Sequence, residues 1–592
     1  MKPYNGKVLR INLKTQKINE EPLNTEWAKQ YIGGRGLGTK MLMEEIDPKV
    51  DPLSKENKVI IITGPLSGTK VSTGCRYMVV TKSPLNNMIA SSNSGGSWGA
   101  RLKYAGYDAL ILEDKSDKPV YIDIDESGVK LVDASDLWGL DTTEVVDKLK
   151  VEGKSSVLNI GTAGENLSLI AAIMNDVDRA AARNGVGAVL GSKNLKAIRV
   201  SVADEKCLVG DDTNFKAKSV EAAKTIKANP VSGEGLPMYG TAVLVNIINS
   251  VGSLPTNNWQ TSHFENAEAI SGEEMTENHL VKKHFCHNCT IGCGRVVKMD
   301  GKEIGGPEYE TIWGFGSDAG IDDFKAIIKA NYYCNEVGVD TISASSTIAA
   351  AMELYQKGYI KEADCDGVPL EFGNSDAIVE WIIRMGHPTN ELAKLMAQGS
   401  YRLCEYYGVP ELSMTAKKLE MPAYDGRGVQ GIGLNYATSN RGGCHVRGYT
   451  IAAEVLGDVD RTTTEGKANL VMAFQDLTAV IDSLGLCLFT SFALDAQNYA
   501  EIYSAATGIE MNAEDIMIAG ERIYNIERLF NKLAGMKPED DTLPPRLLKE
   551  ALKNEASEGM VSKLDVMLPE YYEVRGWVNG FPTEETLKRL GI

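Results

Sequence analysis

Up to about residue 205, short apolar runs alternate with turn residues. KVLRINL, VIIITGPL, YMVVTKS, DALILED and PVYIDID are rich in β-branched and aliphatic residues and are broken by Gly, Pro, Asn and Asp. Glycine-rich tracts, GGRGLG, SNSGGSWG and RNGVGAVLGSK, lie between or after them. From about 210 the apolar spacing becomes helical, with candidate helices over 213–229, 322–336, 340–357, 376–385, 390–407, 465–483 and 514–534. The pattern predicts an α+β chain. A β-rich N-terminal base domain (1–208) precedes two mainly α-helical domains (209–415 and 416–592). No internal repeat is visible.

Composition narrows the classes. A chain of 592 residues exceeds one hydrophobic core, and 43% hydrophobic with 24% charged residues is a globular balance. A net charge of −18 argues against a nucleic-acid partner. No apolar run approaches 18 residues, so no membrane span is expected, and MKPYNGKVLRINL has no apolar signal core. The expected location is cytoplasmic, where ten cysteines do not form a disulfide framework.

Three of those cysteines are packed together. Cys286, Cys289 and Cys293 make C-x2-C-x3-C, which suits a zinc ion or an iron–sulfur cluster, each needing a fourth ligand. Zinc could take His284 or His287 as that ligand. A remote cysteine completing a cluster fits the spacing better than a zinc ribbon, which repeats C-x2-C. Cys487, in DSLGLC, is the best remote candidate.

Many ordered tracts together resemble the aldehyde ferredoxin oxidoreductase family. They include YIGGRGLG, TGPLSGT, GCRYMVVTKSP, LKYAGYDA, MNDVDRAAARNGVGAVLGSKNLKAI, GLPMYGTAVLVNIIN, the cysteine triplet, GPEYET, NEVGVDTIS, SNRGGCH and DSLGLC. The resemblance spans nearly the whole chain. It implies tungsten, or more rarely molybdenum, held by two pyranopterins, one [4Fe–4S] cluster, and a Mg²⁺ ion joining the two cofactor diphosphates.

Residue by residue, the resemblance implies Cys286, Cys289, Cys293 and Cys487 as cluster ligands. Asp482, Gly485 and Leu486 belong to the motif that cradles one pterin. Asn335, Gly338, Val339 and Asp340 match the motif for the other, with Asn335 in place of its first Asp and Val339 in place of its Leu. Arg76 matches the arginine between cluster and pterin, and Arg447 a basic residue beside the pterin. Asn93, Ser94 and Gly95, with Arg179, Ala180, Ala181 and Arg183, match the diphosphate side, where backbone carbonyls of Asn93 and Ala180 would reach Mg²⁺. Glu310 and His445 match the two polar residues beside the metal, and Glu308 is a weaker alternative to Glu310. Some family members carry Glu-x-x-His that binds an iron bridging two subunits. Lys329 and Tyr332 stand there in this chain, so any oligomer is expected without that iron.

The implied activity is oxidation of an aldehyde to a carboxylic acid, with Glu310 as general base and His445 polarising the carbonyl. Electrons would leave through the cluster to ferredoxin or a ferredoxin-like electron-transfer subunit. Acid reduction is the reverse reaction. The alternatives are a sister tungsten enzyme acting on an aromatic acyl-CoA or a sugar aldehyde, and a non-enzymatic iron–sulfur or pterin-binding protein.

Overall fold

The computed structural model of the protein describes residues 2–203, 207 and 209–592. The expected boundary at 208 therefore falls on a residue outside those described. Two six-stranded sheets form the N-terminal region. The first runs, edge to edge, Ile18–Pro22, Lys7–Asn12, Ala109–Glu113, Val59–Thr63, Tyr77–Lys82 and Ile89–Ser94. The second runs Gly128–Asp133, Val120–Asp125, Leu195–Ser201, Ser155–Asn159, Ile173–Asn175 and Arg179–Ala181.

The two sheets share one topology. In each, the first strand in chain order forms a hairpin with the second and lies parallel to the last. The remaining strands follow antiparallel in the same order. This is an internal duplication that the sequence conceals, because equivalent strands share an apolar pattern and turn positions, not residue identities.

Alternation along the strands builds two cores at once. Val59 and Ile61 pack between the sheets with Ile122, Leu158 and Ile198. Ile60 and Ile62 face the opposite side, where Leu37 and Met41 of the helix Gly34–Glu45 and Ile523, Ile526 and Phe530 of the helix Ala513–Leu533 cover them. The C-terminal part of the chain thus closes over the N-terminal sheet. The strand Ile89–Ser94 escaped the sequence pattern because IASSNS is mostly polar.

Most expected helices form: Asp212–Ala228, Phe324–Val337, Thr341–Gln356, Ser375–Gly386, Lys467–Leu484 and Ala513–Leu533. The expected helix over 390–407 is instead two, Glu391–Met396 and Ser400–Tyr406. Gly399 breaks it with φ 89, a left-handed conformation that a continuous helix cannot hold. One apolar core, with Trp313, Trp381, Leu403, Tyr436 and Tyr571, runs across residue 416. Among the described residues no helix is long and apolar enough to cross a membrane.

Candidate functional site

Two helices end against the two sheets in the same way. Lys467–Leu484 stops at Gly485 (φ 83) and Phe324–Val337 at Gly338 (φ 74), left-handed caps that glycine adopts without strain. The Arg76 N–H donates to the Gly485 carbonyl at 3.1 Å, and the Ala172 N–H to the Gly338 carbonyl at 2.9 Å. Gly64 and Gly161, each following the third strand of its sheet, lie against these helix ends. A Cβ on Gly64 would come 2.1 Å from the Leu484 carbonyl carbon, and one on Gly161 2.2 Å from the Val337 oxygen.

Asp482 and Asn335 occupy the last turns of these helices. Asp482 is bound by Arg447, by the Asn93 amide at 3.3 Å and by Arg35 at 3.4 Å. Asn335 faces a cavity. Asp340 caps the helix Thr341–Gln356 and accepts from Ser343 at 2.7 Å and Arg183 at 3.1 Å. The Leu486 side chain is buried with Val480 and Leu484.

The triplet Cys286, Cys289 and Cys293 lies on the turn joining the strands Leu280–His284 and Gly294–Met299. Cys487 follows the Gly485 cap and interacts electrostatically with Cys289 and Cys293. Arg76 donates to the Cys487 sulfur at 3.3 Å. A Cβ on Gly95 would lie 2.8 Å from the Cys286 sulfur, so this glycine lets the backbone approach the thiol. His284 pairs with Asp178 at 2.7 Å and His287 with Tyr104 at 3.0 Å, so both histidines considered for zinc are engaged elsewhere.

Among the described residues no three His, Cys, Asp or Glu side chains converge as a single metal ion requires. Thiolates of an iron–sulfur cluster bind separate irons and need not converge. Sequence reasoning missed Cys75, whose only signal is its place beside Arg76. Its hydrogen bond pulls the Cys286 thiol below its ordinary range; burial opposes this, and Arg179 and Arg76 reinforce it.

Glu310 stands in the helix Tyr309–Phe315 and His445 in the turn His445–Arg447. Glu310 Oε2 accepts from the Ala423 N–H at 2.9 Å, and Oε1 lies 3.5 Å from His445 Nε2, too far for a good hydrogen bond. Tyr424 and Tyr449 pack on the imidazole, their hydroxyls joined at 2.9 Å. Burial pushes the Glu310 carboxyl up to about 8, against the pull of the Ala423 N–H and Arg183. Burial, then Arg183, Arg441 and Arg447, holds His445 well below the ordinary histidine range. At neutral pH the proton therefore favours Glu310 and the imidazole is uncharged. Glu308 points elsewhere, accepting from Thr241 at 2.6 Å and facing Arg179 at 3.6 Å.

A cavity of about 240 Å³ opens between the sheets and the helix ends. Arg76, Asn93, Ser94, Gly95, Arg179, Ala180, Asn335 and Val339 line it, together with Asp178, Arg295, Thr311 and Thr341, which sequence reasoning did not single out. Asn93 pairs with Met78 and Ala180 with Met174, equivalent positions of the duplicated sheets. Of the residues expected on the diphosphate side, Ala181 and Arg183 lie outside the cavity lining. Ala181 packs in the intersheet core, because alternation turns it away from Ala180. Arg183 is committed to Asp340, the Gly443 carbonyl at 2.7 Å and the Glu420 carbonyl at 2.5 Å.

Among the described residues several buried polar atoms have no hydrogen-bond partner: Arg76 Nε, Arg179 Nε, Arg447 Nε, His445 Nδ1 and Glu310 Oε1. Burial, then Arg441 and Arg35, pulls the Arg447 guanidinium down to about 9 despite Asp482. Burial disfavours the charged form, and the neighbouring guanidinium groups add to it. Cys444, another thiol missed in the sequence, accepts from Arg441 at 2.9 Å. The residues fit a large anionic group whose phosphate oxygens would take up the orphaned donors.

Comparison with known proteins agrees with this geometry. Residues 8–202 match the family described as aldehyde ferredoxin oxidoreductase, N-terminal domain, and residues 218–592 match its domains 2 and 3. The tungsten-containing aldehyde ferredoxin oxidoreductase of Pyrococcus furiosus is 48% identical over 99% of this chain and 98% of its own length. A Pyrococcus furiosus protein named aliphatic sulfonate oxidoreductase, WOR-like subunit, is 30% identical over 100% of this chain and 97% of its own. Among solved structures, the active site complex BamBC of benzoyl coenzyme A reductase superposes with TM-score 0.86 at 25% identity. That match covers 100% of this chain and 97% of the other. With both family regions matched and the likeness running end to end, the chain belongs to the aldehyde ferredoxin oxidoreductase family.

Proposed function

We propose that the protein oxidises aldehydes to carboxylic acids, takes the added oxygen from water, and delivers two electrons singly to a ferredoxin. The observation that carries this reading is the buried Glu310–His445 pair, 3.5 Å apart with Oε1 and Nδ1 unpartnered, beside an arginine-rich cavity. When bound, a tungsten bis-pyranopterin supplies the two-electron acceptor, and molybdenum is the rarer occupant. Arg76, Asn93, Ser94, Gly95, Arg179 and Ala180 would hold its polar side, with the Asn93 and Ala180 carbonyls serving Mg²⁺. The helix ends at Asp482–Gly485 and Asn335–Gly338 would flank the two pterins. Cys286, Cys289, Cys293 and Cys487 would carry one [4Fe–4S] cluster. The division at 208 and 415 belongs to the same proposal.

The chain's own residues then act as follows. Ionised Glu310 removes a proton from water or from the hydrated aldehyde. Neutral His445 keeps one ring N–H and donates it to the carbonyl oxygen, while its lowered basicity keeps it from competing with Glu310. Tyr424, Tyr449 and the buried surroundings exclude bulk water. An apolar pocket of about 170 Å³, with Tyr449, Leu244, Leu456 and Phe492 in its walls, would receive an apolar aldehyde side chain and disfavour sugars.

The likeness to benzoyl coenzyme A reductase supports an aromatic acyl-CoA as a second reading. The test is turnover of an aldehyde panel against benzoyl-CoA with a viologen, on anaerobically purified protein with its metals measured. Benzoyl-CoA turnover with inert aldehydes would reverse the order of the two.

A further inference from the structure

The cysteine turn is covered from outside by a strip of exposed side chains. From Lys282 to the end of the strand Leu280–His284, successive residues face opposite ways. Lys282 turns to Glu303 at 2.6 Å and His284 to Asp178 at 2.7 Å. Lys283 and, beyond the strand end, Phe285 take the other side; Val281 stands where the register shifts, and all three are exposed. Phe285 leaves 50% of its surface in water. Its ring rests on Gly292, where φ is +68 and a Cβ would come 2.2 Å from Phe285 Cε1. Only glycine lets that ring lie on the loop between Cys289 and Cys293. Exposed Met238 belongs to the same surface, since its carbonyl and that of Gly292 both bind Arg295, at 3.0 and 2.5 Å. On the other flank Asn288 donates to the Val71 and Thr69 carbonyls at 2.9 and 3.3 Å, bracketing exposed Lys70.

Single exposed apolar residues need no explanation. Here, however, three large ones surround the turn that carries three cysteines. Charge adds a second argument. The chain carries −18 overall, yet among the described residues neither Lys70 nor Lys283 has an ion-pair partner, while Glu303 and Asp178 nearby are already paired. A basic rim on an acidic molecule steers an acidic partner to one place.

We infer that this strip is the docking surface for a small acidic iron–sulfur protein, with Phe285 at its apolar centre and Lys70 and Lys283 at its rim. The inference rests on reading Cys286, Cys289, Cys293 and Cys487 as cluster ligands. The cluster these cysteines would hold would supply one electron at each encounter to the oxidised carrier, so two carriers would leave reduced for each aldehyde oxidised.

The test uses the holoenzyme, an acidic ferredoxin as the probe, and methyl viologen as an acceptor that needs no docking. In the double variant Lys70→Glu/Lys283→Glu, ferredoxin binding by calorimetry weakens about tenfold at low ionic strength and its salt dependence flattens. Viologen-linked turnover stays at the wild-type rate, and Lys394→Glu, an exposed lysine in the helix Glu391–Met396, changes neither. Unchanged ferredoxin affinity in the double variant overturns the inference, as does a parallel loss of viologen turnover. Normal ferredoxin binding with loss of self-association assigns the strip to a second copy and overturns it too. A wild-type protein inert toward aldehydes with viologen refutes the proposed activity instead, and the calorimetric binding still reports on docking.

Discussion

Arg76 donates from Nη2 to the Cys487 sulfur at 3.3 Å while Nη1 holds the Asn93 amide oxygen, joining residues 411 positions apart in the chain. A fixed positive charge beside the sulfur favours the state that has gained an electron. Arg76→Gln is therefore expected to keep its iron but lower the potential of the cluster. An EPR-monitored redox titration measures it, and an unshifted midpoint removes Arg76 from any tuning role.

Cys487 is the one thiol of the proposed set outside the C-x2-C-x3-C turn. Wild-type protein is expected to hold about four irons per chain, the content of a single cubane, with one tungsten. Cys487→Ala is expected to lose iron and the reduced-cluster EPR signal. Full iron and a normal signal in that variant would transfer the fourth position to another group, with Cys75 the first to examine because it already contacts Cys286.

The duplicated sheets make matched predictions. Gly64→Ala and Gly161→Ala each force a methyl into the backbone of a helix end, at 2.1 Å from Leu484 and 2.2 Å from Val337. Backbone cannot rotate aside as a side chain can. Each variant is expected to lose at least about 2 kcal/mol of stability, the upper range for overpacking, read as a fall in thermal unfolding temperature. If only one of the pair is sensitive, the two halves do not support their helix ends equally.

Much of this arrangement was legible in the sequence because it depends on local chemistry. VIIIT and YMVVTK read as strands from their β-branched runs, and Gly485 and Gly338 as special positions from their motifs. The duplication stayed hidden because matching strands such as KVLRIN and VYIDID need share only their alternation to pack alike. The family resemblance alone places Arg183 on the diphosphate side. Nothing in the sequence shows that its long side chain reaches Asp340 and two carbonyls from distant segments, contacts that only the closed chain creates. Cys75 and Cys444 were equally silent, since a lone cysteine reads as a small apolar residue until its neighbours are known.

Lys329 is exposed on the helix Phe324–Val337, and Tyr332 stacks edge-on with Tyr333. An ammonium repels cations, and a phenol is a poor ligand at neutral pH. Any dimer is expected to survive EDTA without a change in mass by sedimentation. Dissociation on chelation, reversed by ferrous iron, would show a bridging metal at some other position.

The last prediction concerns the proton on Glu310. Its carboxyl is pushed up to about 8 by burial, so it is mostly protonated at neutral pH and gains its base form as pH rises. Aldehyde oxidation is therefore expected to increase about tenfold per unit well below pH 8 and to level off above it, as a general base of that pKa requires. His445 adds no limb in this window, because its pKa lies well below the ordinary histidine value and the ring is already neutral. Glu310→Gln, nearly the same shape, should lower turnover by about a hundredfold or more and abolish the rising limb, with tungsten and iron content unchanged. Glu308→Gln is the control, since that carboxylate is occupied by Thr241 and faces Arg179. The measurement is viologen-linked turnover from about two units below the Glu310 pKa to about two units above it, beside metal analysis of each variant. A Glu310→Gln enzyme that keeps the rising limb would move the base to another residue. A selective loss in Glu308→Gln would place it two residues upstream, at the cavity wall rather than against His445.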